Sequence, residues 1–199
     1  MAIEANPTRE VTLYSGDGKL EVKTLSERDA EAYAAAIAAN INDAGMNEFL
    51  PGWADDLSDP DDVNTQLDAV SRAGGVIFGL WAQSEDRREL VGAMQYIPVW
   101  IDGRHSNTYR VTAWITRHER GQRVGQRAGA LLTQHMFENG GAQVLESEIH
   151  KDNFRSQRLA ERLLRERRET VTRSFPFLTY VISRERYLRS RDHFIALAQ

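Results

Sequence analysis

Apolar and polar residues change period several times along the chain, and each change marks an element. Val11-Thr12-Leu13-Tyr14 and Leu20 to Leu25 are β-rich runs around Ser15-Gly16-Asp17-Gly18, a pattern that predicts a hairpin. Asp29 to Ile41 is alanine-rich with Tyr33, Ile37 and Ile41 at helical spacing, and Ser26 and Asp29 are its N-cap candidates. Asp59-Pro60 starts a second helix that runs to Ala73 and stops at Gly74-Gly75. Val76 to Gln83 and Leu90 to Ile101 read as strands, with Pro98 requiring an edge position or a bulge. From Tyr109 to Ile115 the side chains alternate, Tyr109, Val111, Ala113 and Ile115 on one face, Arg110, Thr112 and Trp114 on the other. Val124 to Glu138 is an amphipathic helix, Val144 to Ile149 a strand, and Asn153 to about Arg165 another helix. Thr170 to Arg173 and Phe177 to Ser183 are predicted as the last strands, and the tail from Arg184 as helical.

This order predicts one α/β domain over residues 19–183, preceded by an N-terminal segment with a hairpin strand (1–18) and followed by a helical tail (184–199). Residues 1–9 are polar, carry Pro7 and are expected to be loose. With 41% hydrophobic and 27% charged residues the 199-residue chain can bury a substantial core. A net charge of −4 argues against a nucleic-acid binder, which needs clustered cations. The absence of cysteine removes disulfides, thiol nucleophiles and thiolate metal sites. The five histidines, at positions 105, 118, 135, 150 and 193, have no metal-ligand spacing, so no metal is expected. The opening MAIEANPTRE lacks a signal-peptide pattern, and no apolar run reaches the roughly 18 residues of a membrane span. The expectation is a cytoplasmic protein without a membrane partner.

Two stretches carry candidate chemistry. Arg117-His118-Glu119-Arg120-Gly121-Gln122-Arg123-Val124-Gly125-Gln126-Arg127-Ala128 follows a strand and opens a helix. Glycines at 121 and 125 permit a tight turn and close approach, and bare N–H groups at a helix start attract phosphate oxygens. The alternative is a solvated loop with helix-capping glycines. The second stretch, Glu146 to Leu163, crosses from a strand into a helix whose Leu159, Ala160, Leu163 and Leu164 share one face. Ser156 projects with that face, either bonded back to its own helix or aimed at a site.

Trp114-Ile115, then Arg120-Gly121-Gln122-Arg123-Val124-Gly125, then Asn153-Phe154-Arg155-Ser156 with Leu159, Glu161 and Arg162 resemble the GNAT N-acetyltransferase superfamily, and within it the branch that acetylates ribosomal-protein N-termini. The resemblance implies a mixed central sheet of about seven strands flanked by helices, with a V-shaped splay between the two middle strands that holds acyl-CoA. It implies that Arg120, Gly121, Gln122, Arg123, Val124 and Gly125 bind the CoA pyrophosphate and that Asn153 contacts the pantetheine or orients the site. It further implies that backbone N–H groups of Trp114, Ile115 and Thr116 polarise the thioester, and that Ser156 helps protonate the departing thiolate. The expected function is acyl transfer, with acetyl-CoA as co-substrate, to an amine of a peptide, protein N-terminus or small metabolite.

The sequence departs from the family pattern at three places. Arg123 replaces the central glycine of the phosphate loop, Leu164-Arg165 replaces a helix-ending Gly-Phe, and Arg110 stands where the branch carries a glutamate base. Arginine cannot serve as a base at neutral pH. Glu148 and Glu146 on the next strand become the candidates, with Glu119 and His118 behind them. Arg110 itself either recognises a carboxylate, on the acceptor or on a donor such as succinyl-CoA, or pairs with a neighbouring acid. A GNAT-fold module that binds CoA or a partner protein without catalysis is the alternative reading. Met46, Phe49, Leu50 and Trp53 form either a packed helix–loop or an acceptor-pocket wall. Tyr96, Trp100 and Tyr109 line the same cleft or belong to the sheet core, and His135 reads as a core histidine. The tail packs on the sheet or mediates a homodimer.

Overall fold

A computed structural model describes residues 10–40, 42–43, 48–49, 57–163, 166–168 and 176–199. Its elements in chain order are β1 (Thr12–Tyr14), β2 (Leu20–Thr24), α1 (Ala30–Ala38), α2 (Pro60–Arg72), β3 (Val76–Ser84), β4 (Arg87–Ile101), β5 (Arg104–Ile115), α3 (Val124–Glu138), β6 (Val144–His150), α4 (Phe154–Arg162), β7 (Glu166–Arg168), β8 (Phe177–Ser183), α5 (Arg184–Arg189) and α6 (Arg191–Ala198). The described strands form one sheet in the order β1-β2-β3-β4-β5-β6-β8-β7. Every pairing is antiparallel except β5 with β6, which α3 joins as a parallel crossover. The sheet has eight strands where about seven were expected. The added one, β7, begins immediately after the expected end of the α4 helix, which stops at Arg162. The expected strand over 170–173 lies outside the described residues.

Local chemistry accounts for the element ends. The Asp29 carboxylate accepts from the Ser26 backbone N–H (3.1 Å) and hydroxyl (3.0 Å) and pairs with Lys23 at 2.7 Å, so it fixes the short 3-10 turn before α1. Asp59 accepts from the Asp61 N–H at 2.8 Å with Pro60 in the first turn of α2. Gly74, at φ +78°, supplies the left-handed residue that ends that helix. Pro98 sits in an interior strand. The β4–β5 register shifts between Pro98 and Trp100, so the bulge alternative holds.

Two apolar layers sandwich the sheet. On one face Leu20, Val22, Phe78, Leu80, Tyr96 and Val111 of the sheet pack with Leu132 and Met136 of α3 and Phe194 of α6. On the other, Ile77, Trp81 and Trp114 of the sheet pack with Tyr33 and Ile37 of α1 and Val63 and Val70 of α2. The alternation read for β5 therefore sorts Tyr109 and Val111 into the first layer and Trp114 into the second. The tail packs on α3 and on the β1–β2 turn. Tyr187 stacks on Phe137 with ring centres 5.2 Å apart, and the Gly16 N–H donates to the Ala198 carbonyl. Burial, and then the bond to the Glu138 carboxylate, push the Tyr187 phenol up to about 12. Among the described residues no helix is long and apolar enough to cross a membrane.

Candidate functional site

The middle of the sheet is not closed. β5 and β6 pair only at Thr108–Val144, Tyr109–Leu145 and Arg110–Glu146. Beyond those pairs β5 continues to Ile115 on β4 alone, and Ser147 to His150 of β6 pair only with β8. Thr112 and Ala113, though in a central strand, are exposed. The expected V-shaped splay is this slot.

The backbone lining the slot can be oriented. The Thr116 N–H donates to Val91 O at 2.9 Å, and a Cβ on Gly92 would lie 2.5 Å from Trp114 O, so residues 114 and 116 turn their amides to β4. Alternation along an antiparallel strand then points the Ala113 and Ile115 amides into the slot. This corrects the expectation for Trp114 and Thr116: of the three amides, Ile115 alone faces the slot. The Trp114 side chain is core, its Nε1 donating to the Tyr33 hydroxyl at 3.2 Å with the rings edge to face.

At the open end of the slot the chain turns through Arg117–Glu119 and enters α3. The N–H groups of Gly121, Arg123, Val124, Gly125 and Gln126 have no acceptor among the described residues. The Gln122 N–H donates to Glu119 O at 3.2 Å. The sequence range therefore missed one donor, Gln126, which follows from the rule that the first turn of a helix leaves its amides unpaired. Gly121 has φ +90° and open space where a Cβ would be. Gly125 serves packing instead. A Cβ there would lie 2.7 Å from Ile115 Cδ1 and 3.3 Å from Leu159 Cδ2, so glycine lets α3 approach β5 and α4.

Arg123 adopts φ +64°, ψ +6°. That left-handed conformation explains a glycine at this place in the family, since a side chain there costs about 1–2 kcal/mol. Arg123→Gly is expected to stabilise the fold by about 1 kcal/mol, read as a rise in thermal midpoint. Arg120 is engaged inside the loop, its Nε donating to Ile115 O at 3.0 Å and its guanidinium ion-paired with Asp43. Arg127 pairs with Asp17 at 3.0 Å. Arg117 and Arg123 are exposed.

Asn153 is the N-cap of α4, and its side-chain oxygen accepts from the Ser156 N–H at 3.1 Å. The Asn-x-x-Ser spacing is thus a cap that sets the first turn. The Ser156 hydroxyl, half-buried, has no partner among the described residues, so the back-bonded alternative does not hold. Ser156 lies one turn before Leu159, the residue against Gly125, which puts it on the α3-facing side of α4. Gln157, buried, donates to His150 O at 3.2 Å and Lys151 O at 2.7 Å and locks the β6–α4 connection.

The opposite face of the sheet carries the charged groups. Arg110 donates to Glu146 Oε1 from Nε (3.2 Å) and Nη2 (3.0 Å), and its Nη2 lies 3.2 Å from Glu148 Oε1. The pairing alternative for Arg110 holds. A guanidinium flanked by two carboxylates leaves the dicarboxylic donor without its supporting cation. Farther along β6, His150 packs against Phe49 (ring centres 5.6 Å) and edge-on to Phe177 (5.5 Å). His150 and Phe177 were not singled out, although strand alternation places His150 on the face of Glu146 and Glu148. Trp53, Met46 and Leu50 lie outside the described residues. Tyr96 is completely buried, edge-on to Phe78, and offers no surface to a substrate. Tyr109 is likewise core, while Trp100 is exposed at the far end of the β4–β5 hairpin. His135 packs edge-on to Phe78, and burial lowers its pKa. Among the described residues no cluster of His, Asp and Glu could hold a metal ion. A concavity of about 820 Å³ lies between α1, the β3–β4 turn and the Thr116–His118 segment that follows β5.

A splayed parallel pair, an amide-rich helix start at its mouth and a capped helix beside it define the acyl-CoA N-acyltransferase class of fold. Residues 19–163 match the model of the acetyltransferase (GNAT) domain, and the chain belongs to that family of N-acetyltransferases. The fold is similar to that of the ribosomal-protein-S5-alanine acetyltransferase from Vibrio fischeri (TM-score 0.76, 11% identity, 88% of this chain and 97% of that chain). It is also similar to Mycobacterium smegmatis RimJ in complex with CoA-disulfide (0.70, 15%, 92% and 94%). A third likeness is to the aminoglycoside acetyltransferase AAC(6')-Ib in complex with coenzyme A (0.67, 17%, 86% and 99%). No curated protein matches by sequence.

Proposed function

We propose that this protein transfers an acetyl group from acetyl-CoA to an amine of a peptide, protein N-terminus or small metabolite, with the cytoplasm as its expected compartment. The observation that carries this reading is the slot between β5 and β6 opening onto five amides, before and at the start of α3, that have no acceptor among the described residues. The amides of Gly121 and of Arg123 to Gln126 take the pyrophosphate, and the exposed guanidinium of Arg123 adds charge at the mouth. The pantetheine lies along Ala113 and Ile115, and the Ile115 N–H polarises the thioester carbonyl. Asn153 acts by holding the first turn of α4.

The amine attacks the thioester carbon from the Arg110 face. A C–N bond forms and the C–S bond breaks. The proton on the attacking nitrogen passes to Glu148, directly or through a water, and the leaving sulfur receives a proton through the Ser156 hydroxyl. Glu148 is favoured over Glu146 because Glu146 sits at the last β5–β6 pair, whereas Glu148 lies beyond it, where the strands have parted. Phe49, His150 and Phe177 form a wall for the acceptor. Succinyl-CoA is disfavoured because Arg110 is already paired.

Titration calorimetry with CoA is expected to give one site in the micromolar range, and acetyl-CoA with a panel of peptide and small amines is expected to release free thiol. No heat at millimolar CoA would overturn the reading. CoA binding without thiol release from any amine would leave a non-catalytic CoA-binding module, the reading favoured by an arginine at the usual base position.

A further inference from the structure

The concavity beside α1, about 820 Å³, holds none of the residues assigned to acyl transfer above. Its volume lies within the range of about 300–1,000 Å³ for small-molecule sites, which are mostly apolar with a few placed polar groups. One wall is α1. Ala32, Ala35, Ala36 and, just past the helix, Ala39 recur at helical spacing, and their single methyl groups leave the space beside them unfilled. Trp81 of β3 and Leu90 of β4, both buried, also line it.

The polar groups come from the end of β5. Thr116 is 2% exposed and stands on the face of Trp114, two residues earlier, so its side chain turns toward the α1 layer. Its hydroxyl has no partner among the described residues, and although Thr116 precedes the 3-10 turn at Arg117–Glu119 it makes no cap bond. A buried hydroxyl without a partner is costly, and rotation about Cα–Cβ exchanges it with the methyl. Charge around the cavity is mostly committed. Arg87 pairs with Glu89 at 3.1 Å, Arg88 with Glu21 at 2.7 Å, and Asp43 with Arg120. Arg88 also lies 3.9 Å over the Trp81 ring. Arg117 has no carboxylate partner among the described residues, while its backbone N–H is held by the Asn40 side-chain oxygen at 3.1 Å. A fixed stretch of backbone thus carries an uncommitted guanidinium to the cavity, and the charge left over is positive.

We propose that this concavity is a second binding site, for a small organic anion. The carboxylate or phosphate of the ligand meets the Arg117 guanidinium and the Thr116 hydroxyl, and its apolar body lies on the alanine wall. The site stands whether or not the acyl-transfer reading holds.

Calorimetry on the whole chain without CoA tests it, with benzoate and phenyl phosphate as probes. Each is expected to bind at one site. Benzyl alcohol, which lacks the charge, and inorganic phosphate, which lacks the apolar body, are expected to bind at least about tenfold more weakly. Arg117→Gln and Thr116→Val are each expected to weaken benzoate about tenfold, the ratio for losing one hydrogen bond to a charged group. Ala35 is exposed on the wall, so Ala35→Phe is expected to fill the cavity and abolish binding without lowering the thermal midpoint. Where a melt shows that variant unfolded, Ala39→Phe takes its place with the same expectation. Saturating CoA is expected to leave benzoate affinity unchanged. No heat from either anion at tens of millimolar, equal binding of benzyl alcohol, or benzoate affinity undiminished by Arg117→Gln, Thr116→Val or the filled wall overturns the site. Displacement of benzoate by CoA would place the anion in the loop before α3 and overturn it as well.

Discussion

Replacing Glu148 with glutamine is expected to lower kcat by about 10²–10⁴-fold, the range for loss of a general base. Glu148 and Ser156 stand on opposite faces of the sheet, so the change removes a proton acceptor from the amine side without touching the donor side. CoA affinity is therefore expected to stay within about threefold of wild type, since that ratio is under 1 kcal/mol. Glu146→Gln is expected to cost less, because Glu146 is held by two Arg110 nitrogens at the closed vertex of the strands. Steady-state thiol release and calorimetry on the same preparations separate the two quantities. An unchanged kcat for Glu148→Gln would move the base elsewhere.

The second large effect is steric. Ala113 lies in a central strand yet is exposed, because the neighbouring strand has diverged. Ala113→Trp is expected to fill the slot and weaken CoA binding about 100-fold, the factor corresponding to the roughly 3 kcal/mol upper range of overpacking. Since no packed neighbour is displaced, the thermal midpoint of the free protein is expected to change little. A tryptophan accepted there without loss of affinity would show that the ligand does not pass between β5 and β6.

Much of this architecture was readable from the chain. Asp59-Pro60 and Gly74 marked the ends of α2 because capping chemistry is local, and the alternation from Tyr109 to Trp114 sorted side chains between the layers because a strand has period two. What stayed hidden depended on contacts distant in sequence. Pairing of Arg110 with Glu146 requires β5 and β6 to be adjacent, and Trp114 and Tyr33 meet only when α1 is laid across the sheet. Tyr96 was credited with lining a cleft because an isolated aromatic does not reveal which layer closes over it. Gly125 looked like a ligand-approach glycine, whereas Ile115 and Leu159 explain it by packing. Arg123 departs from the expected glycine in identity while adopting a left-handed conformation that glycine takes without steric cost.

The unpaired stretch where β5 leaves β6 amounts to a missing strand inside the protein. The Ala113 and Ile115 amides that face it have no protein acceptor among the described residues. A ligand with its own amides can occupy it as a surrogate strand. The free chain should then be the more fragile species, and saturation at 100 times the dissociation constant would add about 2.7 kcal/mol to its resistance to unfolding. How long a molecule survives would follow the supply of the compound it consumes.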